Sequence, residues 1–318
     1  MPKKKIVVIG GGNGSALCLE GLKKYADKFD ISAVISMSDS GGSSGKLRKE
    51  FNTLPPGDIM RAILSLSKYD YQMLRDIFYK PRFKNTGKLD SHNLGNLFLT
   101  LISQYSGNFL QALEALSQSV GAQGRVYPVT LASANLMAEL ANGDIIKTEA
   151  FIDSPGYNRG LKIKHVWLEP ECQAYTEAVK ALEFADSIIL SPGSLYTSLI
   201  AALLPKGVKE AIAKNKKAKL VYVAGSAYRL DGETGPERLS DFVLQMEKYL
   251  PRKIDLVIHS NHKLNSKQKQ FYKAKNWGVF EFDKKNLKYT KVKSLDLEDV
   301  GGGLSTRKLS TVLNSLLV

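Results

Sequence analysis

Five short segments carry residues whose types and spacing suit phosphate chemistry. The first is Gly10-Gly11-Gly12-Asn13-Gly14-Ser15, set between an apolar run and a helical pattern. A glycine turn there lets the backbone approach a phosphate, and the N–H groups of the helix start bind anions. The strict dinucleotide fingerprint is not met, because Ser15 stands sixth from Gly10 and Leu17 sixth from Gly12. Gly11, Gly12, Asn13 and Gly14 therefore read as a phosphate cradle. A tight turn that binds nothing is the competing reading.

The second segment is Ser38-Asp39-Ser40-Gly41-Gly42-Ser43-Ser44-Gly45-Lys46-Leu47-Arg48. It follows a second apolar run, so it is expected as a loop at the carboxyl edge of the sheet, where ligands of open α/β sheets bind. Asp39, Gly42, Ser43 and Ser44 offer polar and backbone contacts there. Lys46 and Arg48 add positive charge. The third segment, Pro55-Pro56-Gly57-Asp58, is a stiff turn. Asp58 either caps the next helix or aims its carboxylate at a metal or a ribose hydroxyl. The fourth, Ser91 to Asn96, places His92 and Asn96 four apart on one helix face. The fifth, Ser191-Pro192-Gly193-Ser194-Leu195-Tyr196-Thr197-Ser198, is another strand–turn–helix anion site built on Gly193 and Ser194, with ordinary capping by Ser194 as the rival. Ser194 is not in a Gly-x-Ser-x-Gly elbow, which argues against a hydrolase nucleophile. His165, His259 and His262 have no metal-ligand spacing.

The elements that must position these segments alternate. Strands are expected at 6–9, 31–37, 125–130, 163–168, 187–190, 220–224, 255–259, 279–282 and 289–293. Helices are expected at 15–28, 59–67, 70–79, 92–105, 108–119, 173–184, 195–203, 206–214, 236–249, 265–275 and from 306. Residues 38–58 and 80–91 read as loops. Strands at 133–140 and 144–152, joined by Asn142-Gly143, read as a hairpin. The β-branched run Ile6-Val7-Val8-Ile9 suits a parallel strand covered by helices on both sides. The pattern predicts an α/β fold: a doubly wound, mainly parallel sheet with a small antiparallel addition. No Pro/Gly-rich boundary divides the chain, so 1–318 is expected to be one domain.

Composition narrows the partners. The 318 residues hold 45 Lys plus Arg against 31 Asp plus Glu, a formal charge of +14. That favours an anionic partner, although solvated lysines explain much of the excess. No nucleic-acid-binding motif accompanies the charge, so a basic nucleic-acid scaffold is only the third reading. Two cysteines, Cys18 and Cys172, exclude a disulfide framework. The four apolar residues after the lysine-rich start are too few for a signal peptide, and no apolar run approaches the ~18 residues of a membrane span. The expectation is a cytoplasmic protein; self-association is left open.

Taken together, these segments resemble one family over about residues 4–312: the YvcK-type gluconeogenesis factors and the CofD-type 2-phospho-L-lactate transferases. Gly232-Glu233-Thr234, Asp241-Phe242-Val243 and Gly124-Arg125-Val126-Tyr127-Pro128 resemble the YvcK-type branch. The resemblance implies a Rossmann-like core and a cleft lined by Gly12, Asn13, Gly14, Asp39, Gly42, Ser43, Ser44, Asp58, Asn96, Gly193 and Ser194. It implies a regulator that binds a UDP-sugar such as UDP-N-acetylglucosamine and acts in carbon metabolism and cell-shape control. The alternative is a transferase that moves a phospholactyl group to a deazaflavin, with Mg²⁺ held by Asp39 and Asp58. The chain departs from the pattern in places. Asn13 stands where threonine is usual, Asp39-Ser40 where two aspartates are common, and Met60 where arginine is usual, with Arg61 adjacent. Gly303 to Leu309 replaces an Arg-His-Asp motif, leaving Arg307 as the substitute, and Tyr272 matches an expected ligand tyrosine.

Overall fold

The computed structural model describes residues 2–287 and 289–317. Along the chain come β1 (Lys4–Gly10), β2 (Phe29–Ile35) and β3 (Arg125–Pro128). A separate antiparallel sheet follows, from β4 (Asn135–Leu140), β5 (Ile145–Lys147) and β6 (Ile163–Glu169). Next are β7 (Ser187–Leu190), β8 (Lys219–Val223), β9 (Ala227–Arg229), β10 (Leu256–Ser260), β11 (Trp277–Val279) and β12 (Lys291–Leu295). Seven strands form the main sheet in the order β3-β2-β1-β7-β8-β10-β12. Every neighbouring pair in it is parallel.

The strand order reverses between β1 and β7. That is the switch point at which doubly wound sheets open a crevice. The apolar residues of β1, β7 and β8 pack on both faces; Ile6, Val8, Ile9, Ile188, Ile189, Leu190, Leu220 and Val221 are wholly buried. Helix α1 (Gly12–Lys23) packs with the helix Gly57–Leu66 and the C-terminal helix Thr306–Leu317. The helices Thr176–Glu183 and Val208–Lys214 pack together on their own. Right-handed crossovers running in opposite directions from the switch place these two groups on opposite faces. The Rossmann-like, doubly wound expectation is borne out. No described helix is long and apolar enough to cross a membrane.

Four expectations need correction. The stretch 38–58 is not all loop: Gly42–Phe51 is a helix whose Leu47 is buried. Its small residues resemble a loop in sequence, yet they let its first turn pack closely. The second hairpin strand ends at Lys147, and Glu149–Asp153 is a short helix. Residues 277–279 pair antiparallel with β9, outside the main sheet, and β12 takes the sheet edge instead. Finally, α1 starts at Gly12 rather than at Ser15, so two of the turn glycines belong to the helix.

The ends of β1 and β7 touch backbone to backbone. A Cβ at Gly14 would stand 1.7 Å from the Pro192 carbonyl oxygen, and one at Gly10 2.1 Å from Ser191 Oγ. Gly14→Ala should therefore force the two turns apart and cost about 1–3 kcal/mol, the usual penalty of overpacking. Urea unfolding of the variant checks this; an unchanged midpoint would show that the turns can separate freely.

Candidate functional site

A cleft of about 860 Å³ opens above the carboxyl ends of β1, β2 and β7. Its floor is the glycine turn. Gly12 has a left-handed backbone, φ +62°, and Gly193 on the facing turn has φ +153°. Arg61 crosses this floor. It pairs with Asp58 at 2.7 Å, donates to Asn13 Oδ1 at 3.2 Å and lies over the Tyr79 ring at 4.9 Å. Asp58 therefore does not cap its helix; it sits in the first turn and is spent on Arg61.

One wall is acidic. Asp39 Oδ1 accepts the Gly41 N–H at 2.9 Å. Glu149 Oε2 accepts the Ser40 N–H at 3.1 Å, and Ser40 Oγ accepts the Ala150 N–H at 2.9 Å. This reciprocal pair ties the end of β2 to the short helix Glu149–Asp153. Thr148, just before it, has φ +76°, a strained conformation for a β-branched residue. Loss of water and the nearby Asp58 carboxylate raise the Asp39 pKa. Loss of water and then Asp39 push Glu149 up to about 8. As a metal site the set does not fit: Asp58 is engaged by Arg61, and no group of three metal-ligating side chains occurs among the described residues.

The other wall is a strap over residues 230–237. Arg159 donates to the carbonyls of Gly232 at 2.9 Å and Leu230 at 2.6 Å. Tyr157 Oη meets Thr234 Oγ1 at 3.1 Å, and Lys162 donates to the Gly235 carbonyl at 3.3 Å. Arg229 pairs with Asp153 at 2.6 Å. Tyr228 and Trp277, on the paired strands β9 and β11, complete this side.

Of the residues expected from sequence, Gly11, Gly12, Asn13, Gly14, Asp39, Gly42, Asp58, Gly193 and Ser194 line the cleft. The others lie elsewhere. Ser43 Oγ is 2.8 Å from His92 Nδ1 and accepts from Asn96 Nδ2 at 2.9 Å, a buried trio that anchors the helix Gly42–Phe51. Ser44 hydrogen-bonds to Asp39 from behind, and its hydroxyl would meet a Cβ at Gly57 at 2.6 Å. Arg48 is a strut to the Ala134 carbonyl at 2.8 Å and Ser133 Oγ at 3.2 Å. Lys46 is exposed. Tyr272 is buried behind Trp277 and bonds to Ser226 and Glu298; Arg307 is exposed on the C-terminal helix. Neither lines the cleft.

Sequence reasoning had no local signal for Glu149, Arg159, Lys162 or Arg229, each of which reaches the cleft from a distant segment. Glu233 stood in a motif without an assigned role. Its carboxylate accepts main-chain N–H groups of Leu195, Tyr196 and Thr197, the last at 3.1 Å. The anion seat expected after β7 is thus occupied by the chain's own side chain, and Ser194 makes no side-chain cap bond.

The fold and the cleft define a doubly wound α/β protein with its site at the switch point. The chain belongs to the CofD family: the family model described as 2-phospho-L-lactate transferase CofD matches residues 6–298. A putative gluconeogenesis factor of Thermotoga maritima is 38% identical over 286 residues, covering 90% of this chain and 88% of that protein. Another, of Clostridium acetobutylicum, is 38% identical over 285 residues, covering 89% of this chain and 62% of that longer protein. The crystal structure of a UPF0052-family protein of Bacillus halodurans superposes with a TM-score of 0.89 at 31% identity, covering 99% of each chain. The resemblance read from the motifs is borne out.

The raised Glu149 pKa makes stability depend on pH. An unfolded chain releases this proton near 4.5 and the folded chain near 8. Between those values the folded state holds more protons, so its stability falls as pH rises and the contribution is complete only below the lower value. Glu149→Gln keeps a carbonyl for the Ser40 N–H and removes the titration. Relative to the parent it should gain about 1–2 kcal/mol on going from pH 5 to pH 8. Denaturant titrations at both pH values measure this; a constant difference would place the Glu149 proton elsewhere.

Proposed function

We propose that this protein binds a nucleotide sugar, of the UDP-N-acetylglucosamine kind, and acts as a cytoplasmic regulator in carbon metabolism and cell-wall control. The observation that carries this reading is the cleft at the β1/β7 switch point, where two glycine turns meet and leave their backbone open. A diphosphate suits such a floor because amide N–H groups can reach its oxygens without side chains intervening. Arg61 and Arg159 supply positive charge from opposite sides, and Asn13 offers an amide. Tyr228 and Trp277 offer aromatic surface for a base. The volume lies in the range of small-ligand clefts. The relatives named gluconeogenesis factors support the regulatory half of the reading.

A second reading is a CofD-type transferase, supported by the family description. One observation favours it: Glu149 and Asp39 stand together in the cleft, with Glu149 protonated at neutral pH. A carboxyl of that kind can give a proton to a leaving oxygen. The missing second aspartate and the poor fit of a metal weigh against it.

Calorimetric titration with UDP-N-acetylglucosamine, with and without Mg²⁺, separates the readings. Binding that is indifferent to Mg²⁺ and gives no turnover is the expected outcome; turnover that needs the metal would favour the transferase. Gly12→Val places a branched side chain on the floor and should abolish binding, whereas Asp39→Asn should only weaken it. Unchanged affinity in Gly12→Val would remove the first turn from the site.

A further inference from the structure

Glu233 has a surrounding unusual for a carboxylate. Leu195 and Tyr196 donate to Oε1, and Tyr196 and Thr197 donate to Oε2 at 3.1 Å each. Among the described residues no lysine, arginine or histidine forms an ion pair with it. It is held by successive amide dipoles, as an oxyanion ligand would be. Shielding from water, set against these three N–H groups, moves its pKa up to about 7.

This carboxylate belongs to the strap 230–237, which carries Gly232 and Gly235 and is joined to the rest mainly by polar side chains. Arg159 and Lys162 hold its carbonyls. These two cations thus face the cleft while bonded to neutral oxygens. The strap is also a shared wall. On its far side lies a second cavity of about 1000 Å³, bordered by Tyr196, Pro236, Arg238, Leu244 and Arg252. Thr234, Gly235, Pro236 and Glu237 line both spaces.

We propose that the strap is autoinhibitory: Glu233 fills the anion seat of the empty cleft, and a phosphate-bearing ligand binds there by displacing that carboxylate and moving the strap toward the second cavity. The proposal rests on the reading of the cleft as a site for a phosphorylated ligand. Two features support exchange over a permanent cap. The seat adjoins Gly193 and Ser194, which remain open to the cleft. And release of the strap carbonyls frees Arg159 and Lys162 beside the incoming charge, so the ligand recovers as ion pairs what the carboxylate loses.

The test is calorimetry on the full chain and on Glu233→Gln, with inorganic pyrophosphate and with UDP-N-acetylglucosamine as probes. Glutamine keeps the shape but loses the charge-assisted bonds, so pyrophosphate should bind the variant roughly tenfold more tightly. Equal or weaker binding by the folded variant overturns the proposal. Amide hydrogen exchange on the unmodified chain decides the case if the variant does not fold. Pyrophosphate should leave residues 195–197 protected and expose 230–237; added protection of both segments would mean that ligand binds with the latch shut. Absence of pyrophosphate binding to both chains also overturns it. Tighter pyrophosphate binding by the variant, with no binding of the nucleotide sugar to either chain, would uphold the strap and sink the nucleotide-sugar reading.

Discussion

Where β1 and β7 run side by side, their ends meet with no side chain between them. The carbonyl of Pro192 occupies the space that a Cβ at position 14 would need, and Ser191 occupies the space beside Gly10. This contact fixes the rest of the site. It lets α1 begin at Gly12, directly over the sheet edge, and it turns the chain at Gly193 so that the amides of 195–197 face inward. A bulkier pair of turns would still permit a doubly wound sheet, but its crevice would be filled by side chains.

Around that floor the charges are sorted. The β2 side gathers Asp39, Asp58 and Glu149, which repel one another and shift accordingly. The strap side presents Arg159, Lys162 and Arg229, and Arg61 bridges the two by binding Asp58 and Asn13. Such a site opposes folding: close carboxyls lose hydration, and Thr148 is held in a strained conformation. The apolar interior, with wholly buried strands β1 and β7, offsets these local conflicts.

The strands were legible because an apolar, β-branched run has few other readings in a chain this regular. The cleft was legible in outline because glycine turns at strand ends leave a sequence trace. Two kinds of detail were not. Ser43, His92 and Asn96 have the chemistry of site residues, but they bond to one another behind the wall, and a single sequence does not show which way a side chain points. Arg159, Lys162, Arg229 and Glu149 come from segments whose local pattern is that of ordinary surface, and only the tertiary crossing of β4 to β6 over the main sheet brings them in. The helix Gly42–Phe51 was hidden for a third reason. Glycines and serines open it, and those residues favour turns unless neighbouring elements stabilise the helix.

The pairing of β1 with β7 also bears on how the chain is made. Ile6 to Ile9 find their β7 partners about 180 residues later, at Ser187 to Leu190. During synthesis β1 can pair early with β2, but its other edge stays open until most of the chain has left the ribosome. An apolar strand edge exposed for that long is a template for pairing with other chains. The central strand of the finished protein is thus the nascent chain's most vulnerable edge, and the natural place for a chaperone to act.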